Sequence, residues 1–328
     1  MLPDISVIVT TYNSAGVIEA FFESLARTID KFHLSIETII TDNDSTDGTQ
    51  AIIRKNLSNY PNLNITFLAN RRNIGLSKAL NNMIANAAGE RILICNPDIV
   101  FTDDFNEMLV ISRKFPRFVL VPELLDSDGK IQRVVYKRFP TLLRLISDVT
   151  AIGSTLPVIF GKVRQDYRYV GRIFNRPIDA IEHTSAVCML IHRDVASLLV
   201  PFYDPIFPVY WNDVDMSRRA EQLGIPRVII PGARIYHGLS HSIRTSNPER
   251  IAMLFFSSHG LIGYARRWGL NVRLLRIIMF WDGFLKILKV VGARAVGRQT
   301  RGLARSRSLD PFTEEIRRSI LSFRCSLR

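Results

Sequence analysis

Short apolar segments recur through the first hundred residues, each followed by a stretch with helical spacing. This alternation constrains the fold more than any other feature. Residues 5–10, 34–41, 64–68 and 91–95 read as strands. Residues 14–27 suit a helix with Ser14 as cap and Val17, Phe21 and Leu25 on one face. Asp47-Gly48-Thr49 turns into a second helix carrying Ala51, Ile52 and Leu57, and residues 75–88 form a third. Strands alternating with helices of this length imply a parallel sheet with helices on its faces. Further on, a helix and loop are expected over 105–118, strands over 118–122, 184–192 and 228–231, and a helix over 213–223 closed by Gly224. Residues 126–180 mix Arg, Tyr and Phe with scattered Gly and Pro and are expected to be irregular, with a mobile loop. The expectation is an α/β fold: a mostly parallel central sheet, flanking helices and a helical C-terminal extension beginning near residue 245.

A chain of 328 residues is long enough to bury a full core. Its net charge of +13 is unevenly placed. Residues 261–328 hold 15 Arg and Lys against 4 acids, leaving the first 260 residues close to neutral, so body and tail need separate explanations. Cys95, Cys188 and Cys325 lie far apart, which gives no disulfide framework and suggests a reducing compartment. The start has no basic n-region and no run of 18 apolar residues exists, so neither a signal peptide nor a membrane span is expected.

In an open parallel sheet, ligands bind outside the carboxyl ends of the strands, and polar residues gather at those ends. The first strand ends in Thr10-Thr11-Tyr12-Asn13, small polar groups and an aromatic ring suited to a nucleobase, or to a plain strand-to-helix loop. The second ends in Thr41-Asp42-Asn43-Asp44-Ser45-Thr46-Asp47. Asp42 can accept from a base N–H or a ribose hydroxyl, whereas Ser45, Thr46 and Asp47 can cap the next helix. After the third strand come Asn73, Gly75, Ala79 and Asn81. Gly75 permits close backbone approach, and Lys78 is either a diphosphate contact or a solvated lysine. The fourth strand is followed by Asn96-Pro97-Asp98, an acid at the sheet mouth or a simple turn.

Taken together, these loops resemble the family 2 inverting glycosyltransferases of the GT-A fold. The resemblance rests on Val7-Ile8-Val9-Thr10-Thr11-Tyr12-Asn13, on Asp42 through Thr49, on the Asn73/Gly75/Ala79/Asn81 pattern and on Asn96-Pro97-Asp98. The last stands where that family has its Asp-x-Asp motif, and Asn-Pro-Asp looks like the branch containing many bacterial rhamnosyltransferases. With the later motifs it spans roughly residues 4–245. It implies a nucleotide-sugar donor, a dTDP- or UDP-sugar with dTDP-rhamnose foremost, and a glycan or lipid-linked acceptor in cell-surface polysaccharide synthesis. It also implies Mg²⁺ or Mn²⁺ as cofactor, on Asp98 with Asn96 assisting.

Inversion requires a base near the acceptor hydroxyl. In Tyr210-Trp211-Asn212-Asp213-Val214-Asp215, the family's first Asp falls on Asp213, and Asn212 replaces its usual Glu. Asp213 is therefore the expected base, with Trp211 and Asn212 beside the acceptor, while Asp215 is expected to orient the helix. Both acids can otherwise be read as helix caps. Ser185 and Ala186, upstream of an inert Cys188, resemble the sugar-pocket segment. His237-Gly238-Leu239-Ser240 resembles a late segment whose His touches metal or diphosphate, or is an ordinary loop residue.

In the tail, Ile277, Trp281, Phe284, Leu288 and Val291 fall on one face of a helix over 277–292, with Asp282, Lys286 and Lys289 on another. Arg266, Arg267, Arg273, Arg276, Arg294, Arg298 and Arg301 flank it. This pattern suits an anionic membrane surface at the cytoplasmic face, or a helix packed on the body. No stacking motif or helix-turn-helix accompanies the charge, which argues against nucleic acid. Tyr264-Ala265-Arg266-Arg267-Trp268 departs from the Gln-x-x-Arg-Trp of processive synthases at its first position, so single addition is expected. Two other readings are a nucleotidyltransferase, which would want a Gly-rich phosphate loop that Thr10–Ala15 lacks, and a non-catalytic sugar-nucleotide or glycan-binding protein.

Overall fold

In the computed structural model, which describes residues 2–132, 135–150, 153, 156–238 and 247–295, the alternation becomes half of a nine-stranded sheet. Strands β1 (Ile5–Thr11), β2 (Ile36–Asp42), β3 (Ile65–Ala69) and β4 (Arg91–Cys95) lie in the parallel order β3-β2-β1-β4. They are joined through helices α1 (Ile18–Phe32), α2 (Thr49–Asn59) and α3 (Leu76–Asn86). Beyond β4 the order continues β8-β6-β9-β5. These are β5 (Ile99–Val100), β6 (Val119–Leu125), β8 (Cys188–His192) and β9 (Arg227–His237), with a short β7 (Asp179–Ala180) on β9. This half is mixed: β8 runs antiparallel to β4 and β6, whereas β6 and β9 are parallel.

Burial follows the pleat. On β1, Val7 and Val9 enter one apolar cluster and Ile8 the other; on β4, Leu93 and Cys95 divide likewise from Ile92 and Ile94. The first cluster takes Phe21, Phe22 and Leu25 of α1, Ile53 of α2, and Phe105 and Met108 of α4 (Phe105–Lys114). The second takes Leu80 and Met83 of α3, with Met216 and Ala220 further along the chain. Coverage on both faces is why these strands read as unbroken apolar runs.

Several boundaries differ from expectation. Ser14 does not cap α1 with its side chain: the helix starts at Ile18, and the Ser14 carbonyl accepts from Val17 and Ile18 in a preceding turn. The strand expected from 184 begins at Cys188, because the Thr184 and His183 amides bond Ser217 Oγ and the Lys137 carbonyl instead of the ladder. β9 extends six residues past the expected end at 231, to His237. The region expected to be irregular holds two helices, α5 (Leu142–Val149) and α6 (Pro157–Tyr167). Thr141 Oγ1 caps α5, and an Arg144–Asp166 ion pair links the two. Helices α7 (Arg193–Leu198), α8 (Asn212–Gln222), α9 (Asn247–Arg267) and α10 (Val272–Ala295) follow among the described residues.

The chain divides into two compact units. One comprises residues 1–139 and 168–245 and contains the whole sheet; the other comprises 140–167 and 246–328. In α10, Leu275, Met279 and Asp282 are buried while Ile277, Trp281 and Phe284 are exposed, so Asp282 is not on a solvated face. Leu239, Ser240, Arg298, Arg301 and Cys325 lie outside the described residues, as do the side chains from 285 onward, among them Lys286, Leu288, Lys289, Val291 and Arg294. Cys95 and Cys188 stand opposite one another on β4 and β8 as free, buried thiols.

Candidate active site

The chain leaves β1 toward β2 on one side and returns as β4 on the other, and a cleft opens at the carboxyl ends between them. Thr10 and Thr11 line it from the end of β1 and Tyr12 from just beyond, and Asn96, Pro97 and Asp98 from the turn after β4. Ser185, Ala186 and Val187 enter from the loop before β8, Tyr210, Asn212 and Asp213 from the start of α8, and His237 from the end of β9. Asn43 and Asn73 close the far side. The cleft measures about 470 Å³, within the range of small-molecule sites. The two acids separated by more than a hundred residues of sequence thus share one cavity.

Register explains the pairing at Asp98. β9 runs antiparallel to β5 with His237 opposite Ile99, so the imidazole arrives beside residue 98, and the Gly238 amide bonds the Asp98 carbonyl. His237 Nε2 lies 3.5 Å from Asp98 Oδ1. On the other side of the ring, Nδ1 is 2.9 Å from Gln132 Oε1. Gln132 Nε2 donates to the carbonyls of His237 and Leu125, so Oε1 is the acceptor and the network assigns the ring proton to Nδ1. Nε2 therefore turns a lone pair toward the carboxyl group. Burial pushes Asp98 up to about 7 and His237 down to about 4. A carboxylate oxygen and an imidazole lone pair directed at each other, with the imidazole oriented from behind, fit a divalent cation. Among the described residues no cluster of three His, Cys, Asp or Glu side chains converges. A cation at this pair would complete its shell with water and substrate oxygen, as Mg²⁺ and Mn²⁺ commonly do.

Asp213 sits in the first turn of α8. Its Oδ1 accepts from the Val214 amide at 2.8 Å, and its Oδ2 lies 3.5 Å from His183 Nε2. Its side chain is 23% exposed. Burial pushes the carboxyl up, but the His183 imidazole and the Val214 amide outweigh it, and the group lies below its ordinary value. His183 Nε2 and the hydroxyl of the fully buried Tyr203 both lack a hydrogen-bond partner. The His183 imidazole acts electrostatically on Asp213, and Asp213 helps to push Tyr203 up after burial. Asn212, also buried, accepts from the Asp213 amide and donates to Ser77 Oγ at 3.1 Å. Asp215 is wholly buried and holds Arg219 Nε at 3.0 Å; Arg219 in turn clamps the carbonyls of Leu199, Pro201 and Phe202. Through Arg219 it ties α8 to residues 199–202.

Other expected residues serve the walls. The Asp42 carboxylate is fully buried and accepts four hydrogen bonds, from Thr11 Oγ1, the Ser45 amide, Ser45 Oγ and Gln50 Nε2. This uses the acceptor capacity of a carboxylate, so Asp42 builds the loop and Asn43 faces the cleft. Asp47 ties Thr49 and the Ala15 amide. Asn13, left-handed at φ 51°, bonds the Ser45 and Thr46 side of the same loop. Gly75 has φ +84°, and a Cβ there would meet the Pro208 carbonyl at 3.1 Å, so the close approach that the structure shows is to the Pro208 backbone. Asn81 holds the Tyr203 backbone through both ends of its amide. Lys78 and Asn81 line a neighbouring cavity of about 530 Å³ that shares only Asn73 with the main cleft. Trp211, left-handed at φ 73°, is the residue from which α8 starts and does not line the cleft. His183 and Gln132 were not anticipated. Gln132 carries no sequence signal, and the only hint for His183 was a His beside the sugar-pocket motif.

Residues 6–122 match the family described as Glycosyl transferase family 2. The N-acetylglucosaminyl-diphospho-decaprenol L-rhamnosyltransferase of Mycobacterium tuberculosis is 25% identical over 250 residues, covering 72% of this chain and 76% of that protein. Among solved structures, the mannosyltransferase PcManGT from Pyrobaculum calidifontis, in complex with GDP-Man and Mn²⁺, superposes with a TM-score of 0.51 at 17% identity. The match covers 100% of this chain and 87% of that one. GalNAc-T7 with UDP, GalNAc and Mn²⁺ gives a TM-score of 0.53 at 15% identity over 78% of this chain. The present chain spans about half of GalNAc-T7, 47% of its length. The fold is that of the GT-A glycosyltransferases.

Proposed function

The chain carries a glycosyltransferase family 2 domain, and on that premise we propose that it moves L-rhamnose from dTDP-rhamnose, or a sugar from a UDP-sugar, to a hydroxyl of a lipid-linked glycan. Transfer inverts the anomeric centre and serves bacterial cell-surface polysaccharide synthesis. The observation that carries this reading is the placement of Asp98 and Asp213 in one cleft. The relative's activity on a diphospho-decaprenol sugar supports the acceptor and sugar class, and the ligands of the two solved neighbours support a nucleotide-linked donor and a divalent cation.

In this mechanism Tyr12, Asn43, Asn73 and Asn96 receive the nucleotide. Thr10 Oγ1, buried without a partner, is a polar atom in the cleft wall left for it. The Thr11 hydroxyl is spent on Asp42, so Thr11 contributes shape. Ser185 and Ala186, with small side chains, leave room for the sugar. Asp98 and His237 would hold Mg²⁺ or Mn²⁺, which when bound neutralises charge on the departing diphosphate. Asp213 is ionised at neutral pH, oriented by the Val214 amide and His183, and takes the acceptor's proton as its oxygen attacks the anomeric carbon in line. No covalent intermediate on the protein is required. Residues 1–245 are assigned as the catalytic domain, and the basic segment from 246 as an extension that attaches to the anionic inner face of the cell membrane. Among the described residues no helix is long and apolar enough to cross a membrane.

The test is acceptor-dependent release of dTDP or UDP from a panel of nucleotide sugars, with Mn²⁺ or Mg²⁺ present. Release from one donor class is expected; hydrolysis and transfer both absent across the panel would contradict the reading.

A further inference from the structure

Residues 140–167 interrupt the catalytic sequence, yet they belong to the same compact unit as residues 246–328. That unit carries 19 Arg and Lys against 7 Asp and Glu. It therefore holds twelve of the thirteen net positive charges, and the sheet-bearing unit is close to neutral. The same unit exposes apolar side chains in two places. Before and within the first turn of α6, Leu156 is 44%, Val158 95% and Ile159 63% exposed. Along α10, Leu274, Ile277, Trp281 and Phe284 are exposed at spacings of three and four, which is one helix face, while Leu275 and Met279 are buried. Exposed runs of this kind are unfavourable on a surface meant only for water unless they have a binding function.

We propose that this unit docks on an anionic lipid bilayer through both features. The start of α6 inserts Leu156, Val158 and Ile159 among the acyl chains, and the α10 stripe lies in the interface with Trp281 at headgroup depth. A bilayer supplies the two things this unit lacks: an apolar medium for the exposed side chains and negative charge for the surplus cations. A nucleic acid would supply only the second. A second copy would bring like charge against like. The helical pair α5–α6 thereby acquires a function of its own. It is a second lipid contact, distinct from the C-terminal attachment proposed above and independent of the sugar chemistry.

The full chain is sedimented with phosphatidylcholine vesicles and with vesicles of mixed phosphatidylglycerol and phosphatidylcholine. It is compared with a Val158→Asp/Ile159→Asp variant and a milder Val158→Ser/Ile159→Ser variant. Both positions are exposed, so unchanged thermal unfolding and unchanged nucleotide release on a water-soluble acceptor are expected. The wild type should bind the phosphatidylglycerol vesicles and be weakened by salt, and the Asp variant should bind about tenfold or more weakly, as loss of two buried aliphatic side chains implies. The Ser variant should fall between. Equal binding by wild type and both variants would overturn the role of α6 while leaving the C-terminal attachment standing. Failure of the wild type to bind, or self-association in the ultracentrifuge that the Asp variant abolishes, would overturn lipid docking itself. None of these outcomes touches the transferase reading, which nucleotide release tests separately.

Discussion

His183 Nε2 stands 3.5 Å from Asp213 Oδ2, joining the loop before β8 to the first turn of α8. Burial alone would raise the Asp213 carboxyl; the imidazole and the Val214 amide reverse the sign. The folded-state value lies below the unfolded one, so the arrangement contributes stability above the unfolded carboxylate range. That stability is lost as pH falls through the folded value. With the cation saturating, so that Asp98 is held ionised, the acid limb that Asp213 sets on kcat/KM should accordingly lie below the ordinary carboxylate range. In His183→Phe, only backbone amides still oppose burial, and the limb should move up by about 1–3 pH units. His183→Gln, which keeps an N–H donor in place of the imidazole, should recover part of kcat. A purely structural His183 would lower activity without moving the limb.

Gln132 acts on the cation site through His237. Its side-chain oxygen fixes the ring proton on Nδ1 and so directs the Nε2 lone pair at Asp98. Gln132→Leu should weaken Mn²⁺-dependent nucleotide binding by roughly 10–100-fold, the usual cost of removing a group that orients a metal-binding His. Calorimetric titration of Mn²⁺ in the presence of UDP or dTDP measures this. Affinity equal to wild type would separate His237 from the cation.

Asp42 should behave as a structural residue. Asp42→Ala strands the buried hydroxyl of Thr11 and the partly buried donors of Ser45 and Gln50 that now converge on one carboxylate. A loss of about 2–4 kcal/mol in unfolding free energy is expected, read from urea denaturation. A large rise in donor KM at unchanged stability would instead return Asp42 to the binding surface.

The sequence carried the N-terminal half of the sheet because its strands are unbroken apolar runs separated by regular helices, and periodicity reports that directly. It carried Asp98, Asp213, Asn96 and Ser185 because strand ends and a helix start place them without tertiary detail. It could not reveal which polar side chains at those ends would be consumed by one another. Asp42 and Asn13 carry the same residue types whether they meet a ligand or a loop. Gly75 looked like room for a ligand, and the neighbour is Pro208, more than a hundred residues away in the chain. The α5–α6 pair was missed because Arg and aromatic residues masked a short helix whose apolar face is exposed, not buried. His237 was legible as a residue, but its pairing with Asp98 depends on β9 running on to meet β5.

The central claim is that Asp213 removes the acceptor proton in a cleft where Asp98 serves the donor. It is tested most directly by comparing Asp213→Asn with Asp98→Asn for turnover and for Mn²⁺-dependent nucleotide binding in the same preparations. Asp213→Asn is expected to lower turnover by ~10²–10⁴-fold with nucleotide binding intact, and Asp98→Asn to lose the cation-dependent part of binding. Wild-type turnover in Asp213→Asn, or nucleotide binding lost together with turnover in that variant, would contradict the assignment.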